Sequence, residues 1–155
     1  MRVLDLRALL EALEAHGVRF VLIGGVAVAA HGHVRATEDV DLVPDPEREN
    51  IRHLVDALLG LRALVPGAGD RPFGAPEQRA LARGKSLSLT TDRGAIDIVQ
   101  AADGVPRFHE LAEDAVATEL LGIRVLVCSL AHLRAMKEAA GRIQDLADLE
   151  RLPPL

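Results

Sequence analysis

The stretch RATEDVDLVPD, residues 35–45, places two carboxylates two positions apart inside a run that is otherwise typical of a β-strand. Side chains alternate across a strand, so Asp39 and Asp41 point to the same face, with their backbones about 6.6 Å apart. Carboxylates this close repel one another, and burying them is costly unless a cation lies between them. Mg²⁺ binds a few carboxylates together with water and phosphate oxygens. The pair therefore predicts a site where two Mg²⁺ ions hold a nucleoside triphosphate.

Two further features could belong to the same site. Asp97 is the single charge in the apolar run AIDIV, and it completes a trio of carboxylates if its strand lies beside the Asp39 strand. Otherwise Asp97 lies in water at a strand edge. Gly24 and Gly25 follow the apolar run at residues 20–23 and precede a short apolar helix. Backbone N–H groups at such a turn can approach a phosphate closely, although a glycine pair also forms ordinary tight turns.

Composition limits the class of protein. A chain of 155 residues with 49% hydrophobic residues is long enough for one domain with a core, and we assign residues 1–155 to it. The net charge of -5, with no Trp or Tyr and three Phe, argues against a broad basic or aromatic nucleic-acid surface. The single cysteine, Cys128, excludes an internal disulfide and is expected to be buried and inert. The sequence shows neither a signal-peptide pattern nor a membrane-length apolar run, which predicts a cytoplasmic protein without membrane contact.

Hydrophobic spacing predicts alternating helices and strands. Leucines at helical spacing precede Gly17, and Asp45-Pro46 should cap a helix that ends at Gly60. Residues 61–85, rich in Gly, Pro and Arg, are expected to form a loop that is functional or mobile. A β-hairpin is predicted with its turn at residues 92–94, and "TELLGIRVLVCS" forms a second hairpin or a single strand. Two helices follow, separated at Gly141. The core is expected at about residues 18–100 and the C-terminal helices at about 129–152.

The pattern LIGGVAVAAHGHVRATEDVDLV, residues 22–43, resembles the minimal nucleotidyltransferases of the polymerase-β superfamily. It is most similar to their abortive-infection, toxin-like branch (type AbiEii). The signature of these proteins is a glycine pair, a spacer, two alternating acids and an acid on a later strand; it corresponds to Gly24, Gly25, Asp39, Asp41 and Asp97. The C-terminal stretch AMKEAAGRIQDLADLERL extends the likeness through Lys137, Arg142, Asp145 and Asp148, with Gln144 where a basic residue is commoner. The resemblance covers about residues 4–152 but not residues 61–85.

This resemblance implies an α/β (α+β) fold, with a nucleotidyltransferase-like mixed β-sheet flanked by helices and a C-terminal helical pair. It also implies transfer of a nucleoside monophosphate from an NTP to an RNA 3′ end, such as that of tRNA, or to a protein hydroxyl. The implied metal ligands are Asp39, Asp41 and Asp97, and Asp97 could also assist deprotonation of the attacking hydroxyl. The residues implied to bind the nucleotide phosphates are Gly24, Gly25, Arg35, Thr37 and Lys137.

The resemblance further implies a toxin of a bacterial toxin–antitoxin pair, with a cognate antitoxin as partner. One alternative is a non-catalytic nucleotide-sensing or partner-binding module with the same fold. Another is an antibiotic-modifying transferase, but such enzymes usually carry an additional helical domain, for which this chain has little room.

Several residues have a structural interpretation beside the functional one. Arg35 contacts a phosphate or pairs with Glu38 or Asp39, and Thr37 orients an aspartate or shapes the turn. Lys137 is catalytic or merely solvated on its helix. Asp145 and Asp148 lie at i, i+3 spacing, which favours surface salt bridges over catalysis.

In a third interpretation, Asp145 holds Lys137 or Arg142 in place. His31 and His33 lack the further ligands that zinc requires, so they carry only a weak indication of metal binding. A basic cluster at residues 79–85 is a solvated loop or contacts RNA or the NTP.

Overall fold

A computed structural model describes residues 3–155 of the chain as an arrangement of helices around one mixed sheet. The helices are α1 (Leu6–Ala15), α2 (Gly24–Ala30), α3 (Arg48–Gly60), α4 (Ala75–Ala82), α5 (Phe108–Asp114), α6 (Leu130–Ala140) and α7 (Ile143–Arg151). The strands are β1 (Phe20–Ile23), β2 (Asp39–Pro44), β3 (Leu64–Val65), β4 (Arg71–Pro72), β5 (Leu87–Thr91), β6 (Gly94–Ile98), β7 (Val116–Leu120) and β8 (Ile123–Val127). The expected mixed α+β fold with a C-terminal helical pair is confirmed.

The eight strands form one sheet in the order β4-β3-β5-β6-β2-β1-β8-β7. The pairs β2–β6 and β1–β8 are parallel, and the other neighbours are antiparallel. The parallel pairing of β2 with β6 sets Asp41 directly opposite Asp97. The β5–β6 hairpin, with its turn between Thr91 and Gly94, therefore brings the third acid back to the first two.

Alternation along the central strands separates a buried face from an accessible one. Val40, Leu42, Ile96 and Ile98 are almost completely buried and belong to the hydrophobic core. The aspartates between them project to the opposite face, where they are only half-buried. The apolar members of these strands thus pack the core, and the polar members remain available for a site.

The expectation of a loop over residues 61–85 is wrong. This segment contains β3, β4 and α4, and Phe73 and Leu81 anchor it in the core. Pro76 occupies the first turn of α4, and the Glu77 carboxylate accepts a hydrogen bond from the Gly74 N–H at 3.0 Å. Here proline and glycine delimit short elements, which a compositional argument does not distinguish from a loop. Helix α5 was likewise not predicted.

The expected start of α3 at Asp45-Pro46 is wrong by two residues. The helix begins at Arg48 with Glu47 as its N-cap residue, and the Asp45 carboxylate accepts the Glu47 N–H at 2.9 Å. Asp45 also forms an ion pair with Arg19, which holds it outside the helix. It therefore organises the turn before the helix.

Other expectations are confirmed at the C-terminal end. β7 and β8 form the hairpin around Gly122, and Gly141, with φ +61°, separates α6 from α7. Cys128 is fully buried directly after β8. Within residues 3–155, no helix is long and apolar enough to cross a membrane. The assignment of the whole chain to one domain stays a prediction.

Candidate active site

Three carboxylates converge where β2 and β6 run side by side. Asp39 and Asp41 come from β2, and Asp97 comes from β6. One oxygen from each lies within 4.8 Å of the others, and all three side chains are half-buried. The convergence expected from the sequence is confirmed as geometry. Their role as metal ligands stays a prediction.

The electrostatics of this trio are those of an incompletely compensated anionic site. Burial, a hydrogen bond with Asp97 and repulsion from Asp39 and Asp97 together raise the pKa of Asp41 to about 8. Burial is also the main reason why the pKa of Asp39 is raised, followed by its hydrogen bond with Asp97. Protons are therefore retained here because the carboxylates lack sufficient positive charge. A divalent cation would supply that charge, so the donor set fits Mg²⁺.

The glycine turn between β1 and α2 packs directly against the acids. Gly24 has φ +68°, and a Cβ added there would overlap the Asp41 carboxylate. A Cβ at Gly25 would lie 2.6 Å from the Thr37 Cγ2 atom and 3.2 Å from the Arg35 guanidinium. Glycine is therefore required at both positions, because any Cβ would prevent the turn from packing this closely against β2 and against residues 35–37 before it. The turn thus borders the carboxylate trio, while its contact with phosphate stays a prediction.

Lys137 lies in a buried ionic cluster. Its Nζ atom is 2.9 Å from Asp145 Oδ1 and 3.0 Å from Asp148 Oδ2, and the residue is 6% exposed. The interpretation of Lys137 as a solvated surface residue is therefore wrong. Its positive charge lowers the pKa of Asp41, so Lys137 lies close enough to the trio to interact with Asp41 electrostatically. Whether it contacts phosphate stays a prediction.

Asp145 and Asp148 face inward from α7. Both are almost fully buried, so the expectation of surface salt bridges is wrong. The alternative that Asp145 holds Lys137 or Arg142 is confirmed for both, because Arg142 Nε donates to Asp145 Oδ2 at 2.7 Å. Gly141 turns the chain back between α6 and α7, which brings the acidic face of α7 onto Lys137.

Arg35 has a different partner from those proposed. Its Nε and Nη2 atoms donate to Asp148 Oδ1 and Oδ2 at 2.8 and 2.9 Å. The pairing with Glu38 or Asp39 is therefore wrong, while contact of Arg35 with a phosphate stays a prediction. Arg35 and Asp148 are 113 positions apart, and no local spacing in the sequence connects residues so distant.

Neither the histidines nor the basic cluster at residues 79–85 forms part of a metal site among the described residues. His31 Nε2 lies 2.8 Å from the Cys128 carbonyl oxygen, so the ring forms a hydrogen bond to the backbone. Among the described residues, the carboxylate trio is the one group of three or more His, Cys, Asp or Glu side chains placed to hold a metal. Arg79, Arg83 and Lys85 are exposed, and any contact with RNA or an NTP stays a prediction.

Two cavities lie away from the trio. One of about 870 Å³ lies between α3 and α4, with Arg48, Arg52 and Gln78 in its wall. Another of about 490 Å³ is lined by Leu10, Phe108 and other residues of α1, α5 and β8. None of the three aspartates lines either of these two cavities.

Comparison with known proteins gives a fold but no family. No protein-family model matches the chain, and no curated protein matches it. Among solved structures, the lincosamide antibiotic adenylyltransferase LnuA, bound to lincomycin, has a TM-score of 0.60 and 16% identity over 97% of this chain and 96% of its own. Another solved structure, ANT(2″)-Ia in complex with adenylyl-2″-tobramycin, has a TM-score of 0.59 and 15% identity over 93% of this chain and 83% of its own.

TM1012 of Thermotoga maritima, a candidate nucleotidyltransferase, has a TM-score of 0.58 and 17% identity over 94% of this chain and 88% of its own. The chain therefore has the fold of the nucleotidyltransferases. At 15–17% identity, these likenesses establish the fold alone.

Proposed function

We propose that the protein is a Mg²⁺-dependent nucleotidyltransferase that moves a nucleoside monophosphate from an NTP to a hydroxyl acceptor. The observation that carries the proposal is the convergence of Asp39, Asp41 and Asp97 within 4.8 Å beside a glycine turn. The same fold in solved nucleotidyltransferases supports it. A non-catalytic module would have no need to retain three mutually repelling carboxylates, so this alternative is less favoured.

The three aspartates would hold two Mg²⁺ ions, and the backbone at Gly24 and Gly25 would face the triphosphate. Bound Mg²⁺ supplies positive charge that stabilises the attacking and leaving oxygens in an in-line displacement. Lys137, fixed by its two aspartates, adds positive charge beside the trio without needing to move. Arg35 and Thr37 border the turn and would shape the phosphate site from the side of β2.

The reaction forms one bond and breaks another at the α-phosphorus. The acceptor oxygen attacks this atom while the bond to the oxygen that bridges the α- and β-phosphates breaks, and pyrophosphate leaves. Asp97, at the accessible face of β6, would assist removal of the hydroxyl proton directly or through water. The products are a phosphodiester-linked nucleotide, pyrophosphate and a proton.

We propose three acceptor classes for test: an RNA 3′ end such as that of tRNA, a protein hydroxyl and a small hydroxylated molecule. The first two accompany the proposal of a toxin with a cognate antitoxin. The chain-length argument against the third is wrong, because this chain covers 96% of LnuA, an antibiotic adenylyltransferase. A chain of this size therefore accommodates a small-molecule acceptor.

A labelling experiment tests the proposed function. The purified protein is incubated with each α-³²P-labelled NTP, Mg²⁺ and total cell extract, and the label is separated into RNA, protein and small-molecule fractions. We expect Mg²⁺-dependent labelling of one fraction and release of pyrophosphate. D41N is expected to abolish labelling while remaining folded. Labelling by D41N at the wild-type rate, or none with any NTP and extract, would contradict the proposal.

The toxin proposal has its own test. Induced expression of the wild-type chain in a bacterial host should arrest growth, and expression of D41N should not. Equal growth of both strains, with labelling intact in vitro, would remove the toxin proposal and leave the transferase proposal standing.

A further inference from the structure

A two-pronged ion pair connects the segment before β2 to the last helix. The Arg35 guanidinium donates through Nε and Nη2 to both oxygens of Asp148, at 2.8 and 2.9 Å. The Arg35 side chain is 22% exposed, and that of Asp148 is fully buried. Paired donors of this geometry restrict orientation as well as distance, and a shielded charge pair is screened less by salt.

Asp148, which accepts the hydrogen bonds from Arg35, is itself held by two further contacts. Asp148 Oδ2 lies 3.0 Å from Lys137 Nζ, and Asp148 Oδ1 accepts a hydrogen bond from Gln144 Nε2 at 3.0 Å. Lys137 comes from α6, and Asp148 and Gln144 from α7. Arg35 is therefore anchored to a fixed point on the C-terminal helix pair.

The segment that Arg35 anchors has little other support. Residues 34–38 belong to no helix or strand and make no backbone–backbone hydrogen bond within the described part of the chain. Val34 is mostly exposed. Asp39, the first of the three carboxylates, begins β2 directly after this segment. The position of the segment thus depends on side-chain contacts, and the Asp148 pair is the strongest of these.

The same guanidinium lies against the glycine turn. A Cβ at Gly25 would be 3.2 Å from Arg35 Nη2 and 3.4 Å from Nη1, and 2.6 Å from the Thr37 Cγ2 atom. Arg35 and Thr37 therefore line one side of the turn that borders the trio. Displacement of this segment would move Asp39 and open the turn together.

We infer that the Arg35–Asp148 ion pair positions the residue 34–38 segment, so that Asp39 and the Gly25 turn together form a pre-organised metal–nucleotide site. Arg35 is a positioning residue in this inference, because each of its three guanidinium nitrogens donates a hydrogen bond to Asp148 or to the Ala36 carbonyl. The inference rests on the proposed function in taking the trio as the metal site. Groups that hydrogen-bond directly to metal ligands typically change metal affinity about 10–100-fold when mutated, and Arg35 acts through the segment before Asp39, so we expect the low end of that range.

The test compares R35Q, R35K and a matched control in the full-length protein. Arg134 is the control, because its Nη1 atom donates to the Leu149 and Pro153 carbonyls at 3.3 and 3.2 Å. It ties α6 to the end of α7 but does not touch residues 34–38. Amide hydrogen exchange over residues 33–39 reports the placement of the segment, and calorimetry with Mn²⁺ alone reports the trio. Neither measurement requires turnover or a known acceptor.

In R35Q we expect exchange over residues 33–39 to be about tenfold faster, and the Mn²⁺ Kd to be about tenfold higher. R35K should lie between R35Q and wild type, because an ammonium keeps the charge but not the two-pronged geometry. It also keeps the test available if R35Q does not fold. R134Q should match the wild type in both measurements.

Wild-type exchange in R35Q would overturn the inference, as would weaker Mn²⁺ binding without faster exchange in this segment. In the latter case charge, and not placement, would explain the effect. Failure of the wild-type protein to bind Mn²⁺ would count against the proposed function instead, and the exchange comparison would still decide the role of the ion pair.

Discussion

At the scale of single residues, Asp41 is a candidate metal ligand whose burial lowers the stability of the folded protein near neutral pH. Its pKa is raised to about 8 in the folded protein, from 3.8 in a model peptide, because it is buried and lies beside two other acids. At neutral pH the unfolded chain releases the proton that the folded chain retains, so this group opposes folding. The cost is absent below about pH 4, where both states are protonated, and grows until about pH 8.

We therefore predict that D41N unfolds at a higher temperature than the wild type at pH 7.5 without metal. A gain of about 1 kcal/mol would raise Tm by roughly 2–4 °C for a chain of this size. Thermal unfolding followed by circular dichroism from pH 4 to pH 8 checks this. The difference in Tm should vanish near pH 4, and saturating Mg²⁺ should raise the Tm of the wild type alone. An equal or lower Tm for D41N at pH 7.5 would contradict the conclusion that the Asp41 carboxylate destabilises the folded protein.

Lys137, in contrast to Asp41, is expected to stabilise the folded protein, because its charge is buried together with two aspartates of opposite charge. In K137M, Asp145 and Asp148 would each lose one cationic partner while keeping Arg142 and Arg35, and buried acceptors that lose a hydrogen-bond partner typically cost about 1–3 kcal/mol. Urea unfolding measures the loss, and K85M, at an exposed lysine, is the control that should unfold like the wild type. The sequence indicates Lys137 as a candidate phosphate-binding residue, and its burial with two aspartates predicts a loss of stability as well. Wild-type stability of K137M would contradict the structural importance of the cluster.

At the scale of elements, the carboxylate trio was predictable and the ionic cluster was not. Period-two alternation places Asp39 and Asp41 on one face, and the lone charge of Asp97 in an apolar strand suggests its partner strand. Burial of Lys137 and its aspartates depends on how α6 and α7 pack. The i, i+3 spacing of two acids is the same whether that face of the helix is buried or exposed to solvent, so the sequence does not distinguish the two cases. Likewise, α4 was missed because Pro76 at the start of a short helix resembles loop composition.

The close packing of the turn between β1 and α2 against Asp41 of β2 can be tested by substituting Gly24. In G24A the new methyl group would overlap the Asp41 carboxylate, and the backbone at φ +68° is strained for alanine. We expect a loss of about 1–3 kcal/mol in unfolding free energy and a displaced Asp41 with weakened Mn²⁺ binding. G32A is the matched control, because it also has positive φ (+110°) but no atom within 4 Å of an added Cβ. It should lose stability but keep Mn²⁺ affinity. Equal Mn²⁺ affinity in G24A and the wild type would show that the turn does not constrain the trio.

At the scale of the whole molecule, charge distribution limits how the acceptor is held. The net charge is -5, and the chain has no Trp or Tyr and only three Phe. Lys137 and Arg142, which act electrostatically on the trio, and Arg35, which lies at the adjacent glycine turn, are already paired with Asp145 or Asp148. A long nucleic acid gripped through many phosphates would need free cations and stacking platforms. The molecule is better suited to an acceptor held locally, close to the reacting hydroxyl.

This argument predicts a shallow dependence of transfer on salt. A protein that contacts 6–10 phosphates loses about 10³–10⁵-fold in affinity between 50 and 200 mM salt, because binding releases condensed counterions. For the acceptor fraction that becomes labelled, we expect kcat/KM to fall by less than about tenfold over this range, which corresponds to very few phosphate contacts. The measurement uses α-³²P-labelled NTP at saturating Mg²⁺, with KM for the NTP followed separately to remove its own salt dependence. A decline of a thousandfold or more would instead require an extended basic surface, with Arg79, Arg83 and Lys85 as the first residues to substitute.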